Sequence, residues 1–201
     1  EVNVDESNGK KGVLTAEPLE RGFGLTLGNA IRRILLSSLQ GAAITSVKMK
    51  GVVHEFSTIP GVKEDLTDIL LNLKTVAVKV HSPGLKKMYL KSNGSGELRA
   101  GNFETDSETE IMNPDQLIMT LDSNADIEIE ANVETGKGYV SAEIAEDENK
   151  IIGEIKLDAM FSPVIKTSYK VENSRVGQVT DYDKLIFEVE TNGVITPDDA
   201  I

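Results

Sequence analysis

The chain has no cysteine, no tryptophan and only two histidines among 201 residues, and aromatic residues make up 4% of it. Without cysteine there is no disulfide framework, no thiolate nucleophile and no cysteine-based zinc site, which fits a reducing compartment. Two histidines leave little material for a metal centre or a histidine general base. No apolar run is long enough to span a bilayer, and the opening residues do not read as a signal peptide. What remains is 39% hydrophobic and 27% charged, a globular composition with enough chain for a real core in one or two domains. The chain lacks an initiating Met and closes on Thr196-Pro197-Asp198-Asp199-Ala200-Ile201, which reads as the first turn of a helix with Pro at its first position. A piece of a longer protein is the expectation.

The net charge of −12 is unevenly placed. Residues 1–100 carry 14 basic and 10 acidic groups, residues 101–149 carry 1 and 14, and residues 150–201 carry 6 and 9. A DNA-binding surface needs Lys and Arg against phosphates. A chain this acidic should repel a duplex over most of its surface, so no direct DNA binding is expected. The acidic block reads first as a solubilising surface.

Several site motifs begin and then fail. His54-Glu55 opens like a zinc HExxH, but Thr58 stands where the second His is needed. Gly22, Gly24 and Gly28 have the wrong spacing for a dinucleotide loop, and no P-loop Lys follows. Asp122, Asn124 and Asp126 imitate a calcium loop until Ile127 takes the required Gly position. No catalytic residue, metal site or cofactor site is expected.

Two amphipathic helices stand out. In the first, Gly22 and Gly24 mark a preceding bend, Thr26 reads as N-cap and Gly41 as the stop. Leu27, Ile31, Ile34, Leu35 and Ser38 fall on one stripe, with Leu36 opposite, flanked by Arg32 and Arg33. In the second, Pro60-Gly61 turns the chain, and Val62, Leu66, Ile69, Leu70 and Leu73 form the stripe. Leu71 lies outward, beside Thr67 and Asp68, with Lys74 in the last turn. An outward Leu on each helix is either a stray on a solvated face or part of a second contact surface.

Strands are expected at 44–50, 76–81, 87–91, 109–112, 126–133, 139–144, 164–171 and 185–190, with Ile127, Ile129, Ala131 and Val133 on one face. Strands dominate the middle and helices the ends. The fold class is therefore α+β and two-lobed: one lobe built from both chain ends (1–41 and 164–201) around a β-rich insertion lobe (42–163).

Three long stretches carry a resemblance: ERGFGLTLGNAIRRILLSS at 20–38, GVVHEFSTIPGVKEDLTDILLNLK at 51–74, and TDYDKLIFEVETNGVITPDDAI at 180–201, supported by KGYV at 137–140 and FSPV at 161–164. They resemble the amino-terminal domain of the bacterial RNA polymerase alpha subunit, over nearly the whole chain and least at 92–135. The resemblance implies a cytoplasmic, non-catalytic scaffold that forms a homodimer and collects the beta and beta-prime subunits. It makes the two-ended lobe the dimerisation lobe, with Phe23, Leu27, Ile31, Ile34 and Leu35 in the dimer contact. It assigns large-subunit contacts to Arg32, Arg33 and Leu36, to His54, Glu55, Phe56, Ser57 and Thr58, and to Asp68, Leu71 and Lys74. It also implies a dimer helix running on past Ile201. A generic α+β binding module, a small-molecule enzyme and a DNA binder are the rival classes.

Overall fold

The computed structural model describes residues 2–4, 9–52, 56–142, 153–176 and 179–201. Half of the described residues are strand and 18% helix, so sheets carry the architecture and helices are laid on them. Contacts divide the chain into two compact units, Glu1–Gln40 with Ser162–Ile201, and Gly41–Phe161 between them in sequence.

The elements run β1 (Val2–Val4), β2 (Lys11–Glu20), α1 (Phe23–Ser37), β3 (Gln40–Met49), α2 (Leu66–Lys74), β4 (Val78–Val80), β5 (Lys86–Asn93), β6 (Gly96–Arg99), β7 (Thr109–Ile111), β8 (Leu117–Leu121) and β9 (Asp126–Lys137). They continue as β10 (Tyr139–Val140), β11 (Glu154–Lys156), β12 (Ala159–Met160), β13 (Val164–Val176), β14 (Val179–Thr191) and α3 (Pro197–Ala200).

The first unit is an antiparallel sheet in the order β1-β2-β14-β13, with α1 lying on β13 and β14. Strand β14 supplies its core: Leu185, Phe187 and Val189 are buried, and Leu35 of α1, Val164 and Ala200 close over them. The Tyr169 and Phe187 rings stack at 6.0 Å. At the chain's end Thr196 caps α3, its hydroxyl oxygen accepting the Asp199 N–H at 3.3 Å, with Pro197 at the first position as its fixed φ favours.

The second unit is built on a six-stranded sheet, ordered β5-β9-β3-β4-β7 with β11 beside β3, and two small sheets, β6-β8 and β10-β12. The alternation of Ile127, Ile129, Ala131 and Val133 places all four in the core, and Met88 and Leu90 join them from the paired strand β5. Their neighbours Glu128 and Glu130 take the other face and pair with Lys91 and Lys87 across the ladder. Helix α2 buries Leu66, Ile69, Leu70 and Leu73 and rests against β8.

Several local expectations are corrected. Helix α1 begins at Phe23 and ends at Ser37, so Thr26 is not its N-cap, Gly24 lies inside it, and Gly41 belongs to β3. Helix α2 is a turn shorter than its apolar stripe suggested. Val62 precedes it in a bridge to Leu121, and Glu64 turns aside to β8. Strands β2, β6 and β8 were not expected. Only Gly12 of β2 is buried, so β2 has no alternating pattern, and its backbone pairing to β14 defines it instead. Its Pro18 falls at a register shift, where no ladder N–H is required. The far end of the expected strand 139–144 lies outside the described residues.

Thr167 on β13 faces the first unit's core, and its hydroxyl has no hydrogen-bond partner among the described residues. A buried unpaired hydroxyl costs about 1–3 kcal/mol. Thr167→Val should therefore leave stability unchanged or raise it by up to about 1 kcal/mol, read as an upward shift of the urea midpoint.

Candidate functional site

Helix α1 starts where it does for two reasons. Gly22 adopts a φ of 87°, a left-handed conformation that glycine alone takes without strain. Asp183 then reaches over from β14, and its Oδ2 accepts the N–H of Gly22 at 2.8 Å and of Gly24 at 3.1 Å. The first-turn N–H groups of a helix have no partner within it. Here a neighbouring strand provides the acceptor that an N-cap side chain ordinarily would.

The helix then settles on the sheet through a glycine seam. A Cβ on Gly24 would come within 2.8 Å of Val171 Cγ1, and one on Gly28 within 2.5 Å of Tyr169 Cδ2. The Tyr169 hydroxyl donates to Asn29 Oδ1 at 2.8 Å. These contacts set the rotation of α1, and at about 100° per residue the rotation sorts its side chains into four rows. Gly24, Gly28, Ile31 and Leu35 point inward. On one side Phe23, Leu27, Ala30 and Ile34 form a wholly apolar outward row. On the other, Leu25, Asn29, Arg32 and Leu36 form a mixed row. Thr26, Arg33 and Ser37 lie opposite the seam. All residues of the last three rows are exposed.

The expected inward stripe is thus wrong by nearly half a residue's rotation. Leu27 and Ile34 turn outward, Ile34 with 55% of its surface exposed, and the two glycines turn in. Leu35, 2% exposed, is committed to the chain's own core and has no side-chain surface to offer a partner copy; Ile31 is half-buried against that core. Of the residues assigned to a dimer contact, Phe23, Leu27 and Ile34 are free to make one.

In the second unit, α2 presents Asp68 and Leu71 outward, Leu71 with 53% of its surface exposed. Lys74 donates to Asp158 Oδ2 at 3.0 Å, so its charge is already matched within the unit. Asp158 also accepts the Ala142 N–H at 2.9 Å, and that bond with the Lys74 ammonium holds its carboxyl below the usual range. Before α2, Phe56 is 80% exposed, Thr58 is exposed and Ser57 half-buried. His54 and Glu55 lie outside the described residues. Glu64 anchors the approach to the helix, accepting the Thr120 N–H at 2.7 Å and its hydroxyl at 2.8 Å. Partial burial alone would raise the Glu64 carboxyl, but these two bonds, with its own backbone N–H and the nearby Lys63 charge, outweigh it and hold it below its ordinary 4.5.

One known family matches the chain. Residues 47–162 match the model of the RNA polymerase Rpb3/RpoA insert domain, a stretch that nearly coincides with the second unit. The chain belongs to this family. It is an RNA polymerase alpha-type amino-terminal domain, a subunit of DNA-directed RNA polymerase, and its work is in transcription. Among the described residues no helix of this polymerase subunit is long and apolar enough to cross a membrane.

Sequence reasoning missed four residues of the first surface: Gly24, Gly28, Tyr169 and Asp183. Gly24 reads as part of the bend before the helix and both glycines as a failed dinucleotide loop, although their i, i+4 spacing puts them on one helix face. Nothing in the sequence pairs Asp183 or Tyr169 with residues about 140 to 160 positions earlier.

Two tests follow from this geometry. Gly28→Ala should cost about 1–3 kcal/mol, because the new methyl meets the Tyr169 ring. In a Tyr169→Ala background the same substitution should cost less than half as much, as thermal unfolding of the four proteins would show. For Glu64, a depressed carboxyl contributes stability at pH above its unfolded value and loses it as pH falls through the folded value. Below about pH 4.5, Glu64→Gln should therefore lose stability with a shallower slope than the parent, measured by urea unfolding across acid pH.

Proposed function

We propose that this polymerase subunit is a non-catalytic assembly scaffold that pairs with a second copy of itself and gathers the beta and beta-prime subunits. The observation that carries the reading is α1, which satisfies its own fold through one glycine-lined row and leaves three rows outward, one wholly apolar and the others carrying Arg32 and Arg33. Phe23, Leu27, Ala30 and Ile34 suit a self-contact. Such a row buries apolar surface without needing a complementary charge, and two copies can meet through the same residues. Arg32 and Leu36, with Arg33 beside them, suit a partner offering carboxylates or carbonyls around an apolar pocket, since a guanidinium binds both in forked geometry. The second unit has exposed groups of its own to offer the large subunits, Leu71 with Asp68 beside it, and Phe56 with Thr58 close by. On this reading the first unit is the dimerisation domain and the second the insertion.

Magnitudes limit what α1 can do alone. Phe23, Leu27 and Ile34 are already partly covered, so each has well under the full ~1.5–3 kcal/mol of burial left to give. Association of two chains costs roughly 4–15 kcal/mol. The row is therefore insufficient for a dimer by itself, and further surface must add to it.

Separate rows imply separable effects. Ile34→Asp places a charge in the apolar row without touching the core, and should shift the chain to monomer while its far-UV circular dichroism stays native. Arg33→Ala should leave the dimer intact and weaken capture of beta by about tenfold or more. Sedimentation of each variant, alone and with added beta, distinguishes the two. A dimeric Ile34→Asp protein would remove α1 from the self-contact, and an Arg33→Ala protein that captures beta normally would remove that Arg from the large-subunit contact.

A further inference from the structure

We infer that Asp183, which lies on β14 and outside every outward row of α1, is a positioning residue for the assembly surface. The inference rests on the scaffold reading above and adds to it the group that holds the surface in register. Asp183 Oδ2 grips the N–H groups of Gly22 and Gly24, the residues on either side of Phe23. Phe23 is the first residue of the apolar row, so one carboxylate oxygen fixes the backbone from which that row starts.

The carboxylate is placed by the sheet. Asp183 sits between paired strands, opposite Asn173 of β13 and Leu19 of β2, and two residues before the fully buried Leu185. It is also selective for glycine. A Cβ on Gly24 would come within 3.1 Å of that same oxygen, so a side chain there would push the acceptor away from the amide it holds. Of the other contacts that orient α1, Gly24 against Val171 shares the first turn, and Gly28 on Tyr169 and Tyr169 to Asn29 lie one turn or more further on. Without Asp183 the first turn would keep its seam and lose its start. Phe23 would then move while Ile34, three turns away, stayed in place.

The test compares Asp183→Ala and Asp183→Asn with the parent chain by three readouts: amide hydrogen exchange at Gly24, the dimer dissociation constant by sedimentation equilibrium, and the melting temperature. In Asp183→Ala, Gly24 exchange should quicken by about tenfold while the Leu185 and Phe187 amides stay protected, and the dissociation constant should rise by a similar factor. Asp183→Asn keeps an acceptor oxygen and should recover most of both. A residue of purely structural value would lower the melting temperature and leave the dissociation constant where it was. That outcome, unchanged Gly24 exchange, or an Asn variant as impaired as the Ala variant would each overturn the inference. If Asp183→Ala does not fold, Asp183→Glu carries the test, because it keeps the charge and displaces the acceptor by one methylene. A Glu variant with quickened Gly24 exchange and parental dimer affinity would overturn the inference. A parent chain that stays monomeric overturns the scaffold reading itself. A parent dimer matched by an equally tight Ala dimer overturns the role of Asp183 alone.

Discussion

The close approach of α1 to β13 and β14 is the constraint on which the first unit depends. Two glycines, Gly24 and Gly28, remove the side chains that would hold the helix off the sheet, and Val171 and Tyr169 fill the space they leave. Interiors are packed so tightly that a methyl group at either position would have to move a neighbour. Such a seam tolerates one rotation of the helix. Leu35 then closes over Phe187 and Val189, and every other face of α1 is left to the surroundings. A conventional leucine-rich inward stripe would have buried Leu27 and Ile34 and left no apolar row for a partner.

The second unit solves a different problem, that of a long acidic stretch inside a stable sheet. Residues 101–149 carry a net charge more negative than that of the whole chain. The fold sets part of it across from the lysines of the preceding segment. Lys87 meets Glu130 and Lys91 meets Glu128 across the β5–β9 ladder, Lys50 meets Asp126 at 2.6 Å, and Lys86 binds Glu108. Most of these pairs are exposed and individually contribute little, about 0–1 kcal/mol. The first three keep one sheet face polar and its register defined while the other face, which Lys86 shares with Met88 and Leu90, buries Ile127, Ile129 and Val133.

The strength of periodic signals decided how much was legible beforehand. The alternation in β9, the apolar face of α2 and the Thr196-Pro197 start of α3 could be read directly, because each is carried by neighbours a few positions apart. Strand β2 could not, since its place is set by pairing with β14 about 170 residues later and its side chains are mostly half-buried or exposed. The start of α1 was misplaced for a related reason. A hydroxyl at Thr26 looks like a local cap, whereas the acceptor that caps the start of the helix comes from Asp183.

The sequence by itself determined the strand-rich composition, the membership of a polymerase family, the existence of both amphipathic helices and the outward position of Leu36 and Leu71. Tertiary structure alone decided which face of α1 is spent on the fold. Hydrophobic periodicity gives weight to leucine and isoleucine and none to glycine, yet close packing favours the face with the least side chain when a bulky ring lies beneath it. That ring belongs to Tyr169, and only the folded sheet brings it under Gly28.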